Sequence, residues 1–330
     1  MSFASVTSGP DARARARARR RLRRVDRVGE LLLRVLCRMA ALVAGLALLA
    51  IAYQVIHGAR PAIARTGLGF FVHGEWKPNF NVFGATTMLY GTAVTSAAAL
   101  ALATPIGIAV GLYLSLLAPR GVRGVIGPLV EMLAAIPSVI LGFWGIVVLG
   151  PFLRSHAEPP LHDALGFLPI FGPPSTSGSG LFTTSLILTI MVVPIVASVS
   201  RDLFLTVPAE LQDGAAALGA TRWEIVRGVV LPSTVSGIAA AACLGLGRAL
   251  GEAIAVTQVI GAASAVHVSL FDTGETIASR IADQFQSPAS ALHTSAMFYL
   301  AVVLLAIGLL TNLLAQWISR RFDVRHAVAR

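Results

Sequence analysis

Residues 204–237 read FLTVPAELQDGAAALGATRWEIVRGVVLPSTVSG, a polar interval between two long apolar runs. Local rules write it as two short helices with a sharp joint. Thr206 is placed to cap the first helix, and Pro208 is tolerated in its first turn. Gly219 stands where a left-handed C-terminal cap is wanted. Thr221 and Glu224 have the spacing of a capping box, so a second helix starts at once. Pro232 then marks where that helix gives way to the next apolar run. Gly214, Ala215, Ala216, Ala217 and Ala220 keep the joint slim, which suits a helix inserted into a groove on another protein. An ordinary helix–turn–helix connection lying on a membrane satisfies the same pattern.

Working outward, the flanking runs define the solvent. Hydrophobic residues are 55% of the 330, charged residues 13%, and mean hydropathy is +0.76. A soluble chain of this length carries more charge, so the expectation is an all-α, polytopic membrane bundle. A span needs about 20 apolar residues. Six windows meet that need, over 39–56, 87–117, 132–153, 181–203, 233–262 and 294–317. Residues 39–330 thus form one membrane domain, with 204–232 as its main internal loop.

Net charge is +10, but eleven arginines against three acids in residues 1–38 supply +8 of it. A basic arm on a membrane protein is a cytoplasmic retention signal. Nucleic-acid binding is disfavoured, because no basic stripe interleaved with aromatics occurs elsewhere. Self-repulsion predicts disorder over 1–38, and attraction to anionic headgroups is a further role open to it. The first apolar run begins too late, behind too many arginines, for a cleavable leader. With the N-terminus inside, 118–123, 204–232 and the C-terminal tail (Arg320, Arg321, Arg325, Arg330) are inside too. Loops 57–86, 154–180 and 263–293 fall outside. Both termini are then cytoplasmic. Cys37 and Cys243 are too few and too far apart to form a disulfide framework.

The 204–232 loop resembles the "EAA" loop of binding-protein-dependent ABC importers. Gly219 is the hallmark glycine, and Val229-Val230-Leu231-Pro232 matches the ending at the right distance. Asp213 and Gly214 replace the family's Glu and first Ala, while Ala215 keeps the second. The resemblance implies a type I ABC importer permease whose loop, including Ala220 and Thr221, docks on a nucleotide-binding subunit. This chain has no Walker A loop, since its one lysine, Lys77, lies between Trp76 and Pro78. ATP and Mg therefore belong to a separate ATPase, and no catalytic residue, metal or cofactor is expected here.

The second constellation is Leu244-Gly-Leu-Gly-Arg248-Ala-Leu-Gly-Glu252 in the fifth window. An ionisable residue at membrane depth is a candidate functional residue. Arg248 and Glu252, four apart, share a helix face. They read either as an internal ion pair that makes the span tolerable, or as a pathway site. In the second reading the Arg248 fork meets an oxyanion and Glu252 holds the fork. Gly245, Gly247 and Gly251 point to close helix packing. The stretch is similar to the Gly-Leu-Gly-Arg-Ala-x-Gly-Glu-Thr signature of the PstC family of phosphate-importer permeases, with Ala253 in place of Thr. Trp76-Lys-Pro, Phe83-Gly84 and Ile136-Pro-Ser-Val-Ile-Leu-Gly-Phe-Trp-Gly145 agree with the same family over most of 70–318. That resemblance implies a PstA-like second permease, PstB-like ATPases and a PstS-like extracytoplasmic phosphate-binding protein.

The alternatives are a permease for another oxyanion, molybdate or sulfate, and a stand-alone secondary transporter. The latter predicts an internal repeat, and none is visible. An intramembrane enzyme would need a metal cluster or an activated nucleophile. Residues 275–286 place Ile277, Ile281 and Phe285 on one helical face, either at an outer mouth or against the bundle. Glu131, His57, His162 and His293 read as isolated interfacial or satisfied polar residues.

Overall fold

A computed structural model describes residues 10–263 and 265–321, with side chains from Glu30 to Ile318. The first nine residues of the arginine-rich tail, and Arg325 and Arg330 at the other end, lie outside the described residues. The chain divides into two units, the first ending at His57 and the second beginning at Gly58. The first unit consists of most of one long helix, α1 (Pro10–Thr66). Over 10–38 this differs from the disorder that charge repulsion predicts. Alanine and arginine are both strong helix formers. Extending a helix already nucleated in the apolar stretch adds one hydrogen bond per residue fixed.

The second unit opens with a small antiparallel hairpin of β1 (Trp76–Lys77) and β2 (Val82–Phe83), pairing Trp76 with Phe83. Helices follow: α2 (Thr86–Leu112), α3 (Arg120–Ala135), α4 (Ser138–Trp144), α5 (Gly150–His156), α6 (Glu158–Leu165) and α7 (Leu181–Leu205). Next come α8 (Ala209–Ala217), α9 (Arg222–Ile225), α10 (Leu231–Gly251), α11 (Ile254–Val259), α12 (Ile277–Gln284) and α13 (Ala291–Arg321). Wide π turns at 113–117, 145–149 and 226–230 extend α2 and join α4 to α5 and α9 to α10. Among the described residues six helical stretches are long and apolar enough to cross a membrane. They are Glu30–Phe71, Thr86–Leu117, Ser138–Leu165, Leu181–Leu205, Arg222–Gly251 and Ala291–Ile318.

Several boundaries differ from the sequence expectation: the first span runs Glu30–Phe71, the third extends to Leu165 and the fifth begins at Arg222, and two further differences have a clear local cause. The third span begins at Ser138 and not near 132, because Ile136 is extended (ψ 126°). The ring of Pro137 disfavours helical geometry in the residue before it. The fifth ends at Gly251 and not at 262, because Glu252 turns extended (φ −76°, ψ 114°) and α11 restarts as a separate piece.

The core is organised by α7. Of its most apolar window 61% is buried, against 22–28% for the four other spans of the second unit, so α7 is the central helix. Leu188, Val192 and Val196 meet Ala99 and Ala103 of α2, Ala249 of α10 and Val256 of α11. Ile187 and Met191 meet Leu141 of α4 and Ala255 and Val259 of α11. A helix covered over most of its surface needs few charges, and α7 carries its only two, Arg201 and Asp202, in its last turn and a half. Several of its buried hydroxyls bond back to the preceding turn: Thr184 donates to Gly180 O at 2.8 Å and Thr189 to Ser185 O at 2.7 Å, while Ser200 Oγ is buried without a partner.

Candidate coupling loop and translocation site

The interval between α7 and α10 forms two short helices, with one change at its start. Thr206 closes α7, its hydroxyl donating to Leu203 O at 2.7 Å, and α8 starts after the extended Pro208 without a side-chain cap. The end of α8 is as expected. Gly219 has φ +90°, a conformation that disfavours any residue with a Cβ. Its N–H reaches Ala216 O at 2.9 Å, and the Ala220 N–H reaches Ala215 O at 3.1 Å. The Thr221–Glu224 capping box is present. The Glu224 N–H donates to Thr221 Oγ1 at 3.4 Å, and the Thr221 N–H donates to Glu224 Oε2 at 2.7 Å.

Pro232 does not end the second helix; α9 runs through the π turn at 226–230 into α10. A proline ring collides with the carbonyl four residues back, here Gly228, and cannot donate to it. Hydrogen bonds of the wider i→i+5 type make room at that point. Leu231 and Pro232 therefore belong to the first turn of α10. Below the loop, Phe204, Val207 and Val230 form a buried knot with Leu112 and Leu116 at the end of α2. Above it, no residue of α8 or α9 is buried, and Leu218 and Trp223 are 91% and 65% exposed. Asp213, Gly214 and Ala215 lie on α8 in this exposed part. A Cβ added at Gly214 would meet nothing within this chain, so no internal contact demands the glycine.

Arg248 sits in the last turn of α10, where the helix dipole favours a cation. Its Nη2 is 3.5 Å from Oε2 of Glu252, so the pair predicted from spacing forms even though the helix breaks between them. The two ends differ in environment. Glu252 is buried, while the Arg248 side chain is 44% exposed and faces a groove of about 980 Å³ between α7, α10 and α13. Ile195, Val199 and Leu244 make its walls mainly apolar. Of the three neighbouring glycines, Gly245 is a true close approach, since a Cβ there would lie 2.6 Å from Val192 Cγ1. Gly247 and Gly251 face open space within this chain.

A third cluster, in the segment between α11 and α13, escaped the sequence reading. Glu275 and Arg280 form a nearly buried ion pair, and the Arg280 guanidinium lies 5.8 Å from the Trp76 ring centre. Trp76 Nε1–H donates to Gln284 Oε1 at 2.8 Å, and His293 Nε2 donates to the same oxygen at 3.0 Å. The Ala289 N–H donates to His293 Nδ1 at 3.1 Å, and Phe83 stacks on the imidazole at 5.5 Å. Burial pushes the Glu275 carboxyl above its ordinary range, with Arg280 pulling it back and Asp283 pushing it further up. The amphipathic face of α12 lies against the bundle: Ile277 is fully buried and Ile281 packs on the same core. Glu131 is not isolated, since Arg201 Nη1 reaches its Oε1 at 3.1 Å. Seventy residues separate the two in sequence, so no local spacing announces them. His162 Nδ1 is 2.9 Å from Phe171 O, and His57 lies beside Tyr53 at 5.8 Å between ring centres.

Residues 103–324, which include both the loop and the Arg248–Glu252 pair, match the model of the binding-protein-dependent transport system inner membrane component family. The chain belongs to this family. Similar curated relatives are phosphate transport system permease proteins PstC. The one from Mesorhizobium japonicum is 40% identical, covering 87% of this chain and 89% of that protein. The Pasteurella multocida protein is 42% identical, covering 84% and 88%. PstC 1 of Mycobacterium tuberculosis is 36% identical, covering 90% and 94%. Among solved structures, the bacterial alginate ABC transporter in complex with an alginate pentasaccharide-bound periplasmic protein aligns with a TM-score of 0.56. It is 18% identical and covers 82% of this chain and 89% of that one. The inward-facing MetNI methionine ABC transporter aligns with a TM-score of 0.52 at 21% identity, covering 72% and 96%. At such identities these two likenesses speak to the fold, that of an ABC transporter permease.

Proposed function

We propose that this chain is the transmembrane permease subunit of an ATP-driven, binding-protein-dependent importer of inorganic phosphate. The observation that carries the substrate is the half-exposed Arg248 on the groove wall, in a chain about as similar to proteins named phosphate permease as 40% identity over most of its length. The planar fork of Arg248 presents donors in the geometry of a phosphate edge. The buried Glu252 anchors the other side of the guanidinium and offsets its charge, so that the anion is attracted without being held. A carboxylate facing the anion would repel it, and burial keeps Glu252 out of the groove.

In this reading the chain carries no covalent chemistry. ATP and Mg reside on separate PstB-like ATPase subunits, which receive the exposed α8–α9 pair. Their closure pushes Asp213, Ala215, Gly219 and Ala220 as one rigid piece, and the buried knot around Phe204 and Val230 passes the movement to α7 and α10. A PstA-like permease completes the pathway, and a PstS-like protein delivers phosphate from outside. Positive charge in 118–123 and 222–227 supports a cytoplasmic loop face with both termini on the same side.

The test is radiolabelled phosphate uptake in cells lacking the gene, complemented with wild type or with Arg248→Lys, Gln or Ala, alongside sulfate and molybdate. Wild type restores phosphate uptake alone. A charge-assisted bidentate contact contributes about 1.5–3 kcal/mol, so Arg248→Gln and Arg248→Ala lower uptake by about tenfold or more at equal membrane abundance. Wild-type uptake by all three variants removes Arg248 from the pathway. Restoration of sulfate or molybdate uptake in place of phosphate keeps the permease and discards the substrate.

A further inference from the structure

The groove beside Arg248 has a second polar wall that neither the loop motif nor the arginine signature includes. In the five candidate spans after the first, Asn312 and Gln316 are the only asparagine and glutamine residues, and both line this groove. They stand four residues apart on α13, hence on one helix face. Thr311 beside them is already committed, its hydroxyl donating to Ile307 O at 2.6 Å. The two amides are exposed, and among the described residues neither has a protein hydrogen-bond partner. An amide facing lipid tails would leave its donors and acceptor unpaired, so polar groups at this depth face a wet cavity or another polar group.

The direction of the stripe follows from the topology. Along the groove, α10 contributes residues from Ala240 to Arg248 while the antiparallel α13 contributes Gly308 to Gln316. The Gly308 end of α13 therefore shares the level of Arg248. At 1.5 Å per residue, Asn312 lies ~6 Å and Gln316 ~12 Å further toward the face that carries α8 and α9. Gly308, without a side chain, leaves the approach to the guanidinium open.

We propose that Asn312 and Gln316 form the inner half of the anion pathway, a ladder of neutral hydrogen-bond donors that takes an oxyanion from Arg248 toward the loop face. The inference rests on the Arg248 pathway reading. A second cation below Arg248 would trap the anion, whereas bare apolar wall would force it to shed water without compensation. Amide N–H groups lie between these extremes: they replace part of the hydration shell and bind too weakly to hold a charge. The same amides accept as well as donate, which serves the protonated oxygens of phosphate.

The experiment uses the assembled transporter in proteoliposomes, with ATP-driven uptake of radiolabelled phosphate and ATP hydrolysis stimulated by phosphate-loaded binding protein measured together. Asn312→Asp replaces a donor with a negative charge at constant size, and Asn312→Leu removes hydrogen bonding while keeping bulk. One lost charge-assisted contact corresponds to about tenfold, so uptake falls by about that factor or more in Asn312→Asp and less in Asn312→Leu. Gln316→Glu shows a smaller loss, being nearer water. ATP hydrolysis stays within about twofold in all three, so transport per ATP drops. Wild-type uptake by Asn312→Asp overturns the ladder. Parallel loss of assembly, hydrolysis and uptake in both Asn312 variants also overturns it, assigning the amide to packing against the second permease. Arg248→Gln in the same vesicles separates the two readings. If it alone loses uptake, only the ladder fails; if it transports like wild type, the pathway reading fails and the ladder with it.

Discussion

The exposed loop at 206–221 and the segment between α11 and α13 connect spans of similar length, yet they hold their shape by opposite means. The loop uses partners within a few residues: the Gly219 turn, the Ala215 and Ala216 carbonyls, and the Thr221–Glu224 box. Its side chains reach outward, with α8 and α9 burying nothing. The other segment has local bonds of its own, the Thr276–Ser279 capping box and the Glu275–Arg280 pair, and adds partners some two hundred residues away. Trp76 reaches Gln284, Asn81 Oδ1 accepts from Ser290 at 2.8 Å, and the Ile277 N–H donates to Thr92 Oγ1 at 3.0 Å. In the proposed docking role, a surface pushed by an ATPase subunit needs internal stiffness of its own, with its contact to the bundle confined to the knot at Phe204, Val207 and Val230. A segment that seals the bundle needs the reverse.

The largest effect expected from this contrast falls on the Glu275–Arg280 pair. Removing one partner of a buried ion pair leaves the other charged and desolvated, at a cost of about 3–5 kcal/mol. Arg280→Ala should therefore lower the thermal unfolding midpoint of the purified transporter strongly, and Glu275→Gln in the same background should recover much of the loss. An Arg280→Ala protein with wild-type unfolding would show that the pair is solvated and that the Arg280 contact with the Trp76 ring adds little to the hold on this segment.

The same contrast explains what was legible. Gly219, the capping box, the six spans and the Arg248–Glu252 pairing are spoken by residues within five positions of one another, so local chemistry reads them directly. Pro232 misled because a proline ends an α-helix, whereas a π turn lets one pass. The end of the fifth span at Gly251 was hidden by the apolar run Ala253–Val256, which leads into the separate α11, where Ala255, Val256 and Val259 bury against α4 and α7. Glu131–Arg201, Trp76–Gln284 and the groove shared by α10 and α13 join residues from distant parts of the chain, and no periodicity in one segment encodes them. Asn312 and Gln316 carried a readable signal, since amides are rare in an apolar span, but only the groove shows that they face Arg248's side.

A smaller effect should follow from Gly219→Ala. At φ +90° a Cβ costs about 1–2 kcal/mol, and the open space around Gly219 means that no clash adds to it. The bundle should thus keep its unfolding midpoint within a few degrees, because α8 and α9 bury no residue against it, while ATP-driven phosphate uptake falls as the α8–α9 angle relaxes. Equal losses of midpoint and uptake would break the comparison, by showing the loop to be structurally continuous with the core.

The smallest expected change sharpens it. Thr221→Ala removes the side-chain acceptor for the Glu224 N–H and the hydroxyl that donates to Glu224 Oε2 at 2.8 Å, and leaves only the backbone bond from the residue 221 N–H to that carboxylate. Capping residues contribute about 1 kcal/mol, and here the whole of it is local. Hydrogen exchange should therefore speed up at the amides of residues 222–225, which lose the order imposed by the cap. Exchange in α7 and in the buried knot around Phe204 and Val230 should stay unchanged. Serine at the same position restores the acceptor and should restore the protection. If protection instead falls along α10 as well, the π turn at 226–230 transmits the fraying of α9 into the span, and loop and bundle are one mechanical element.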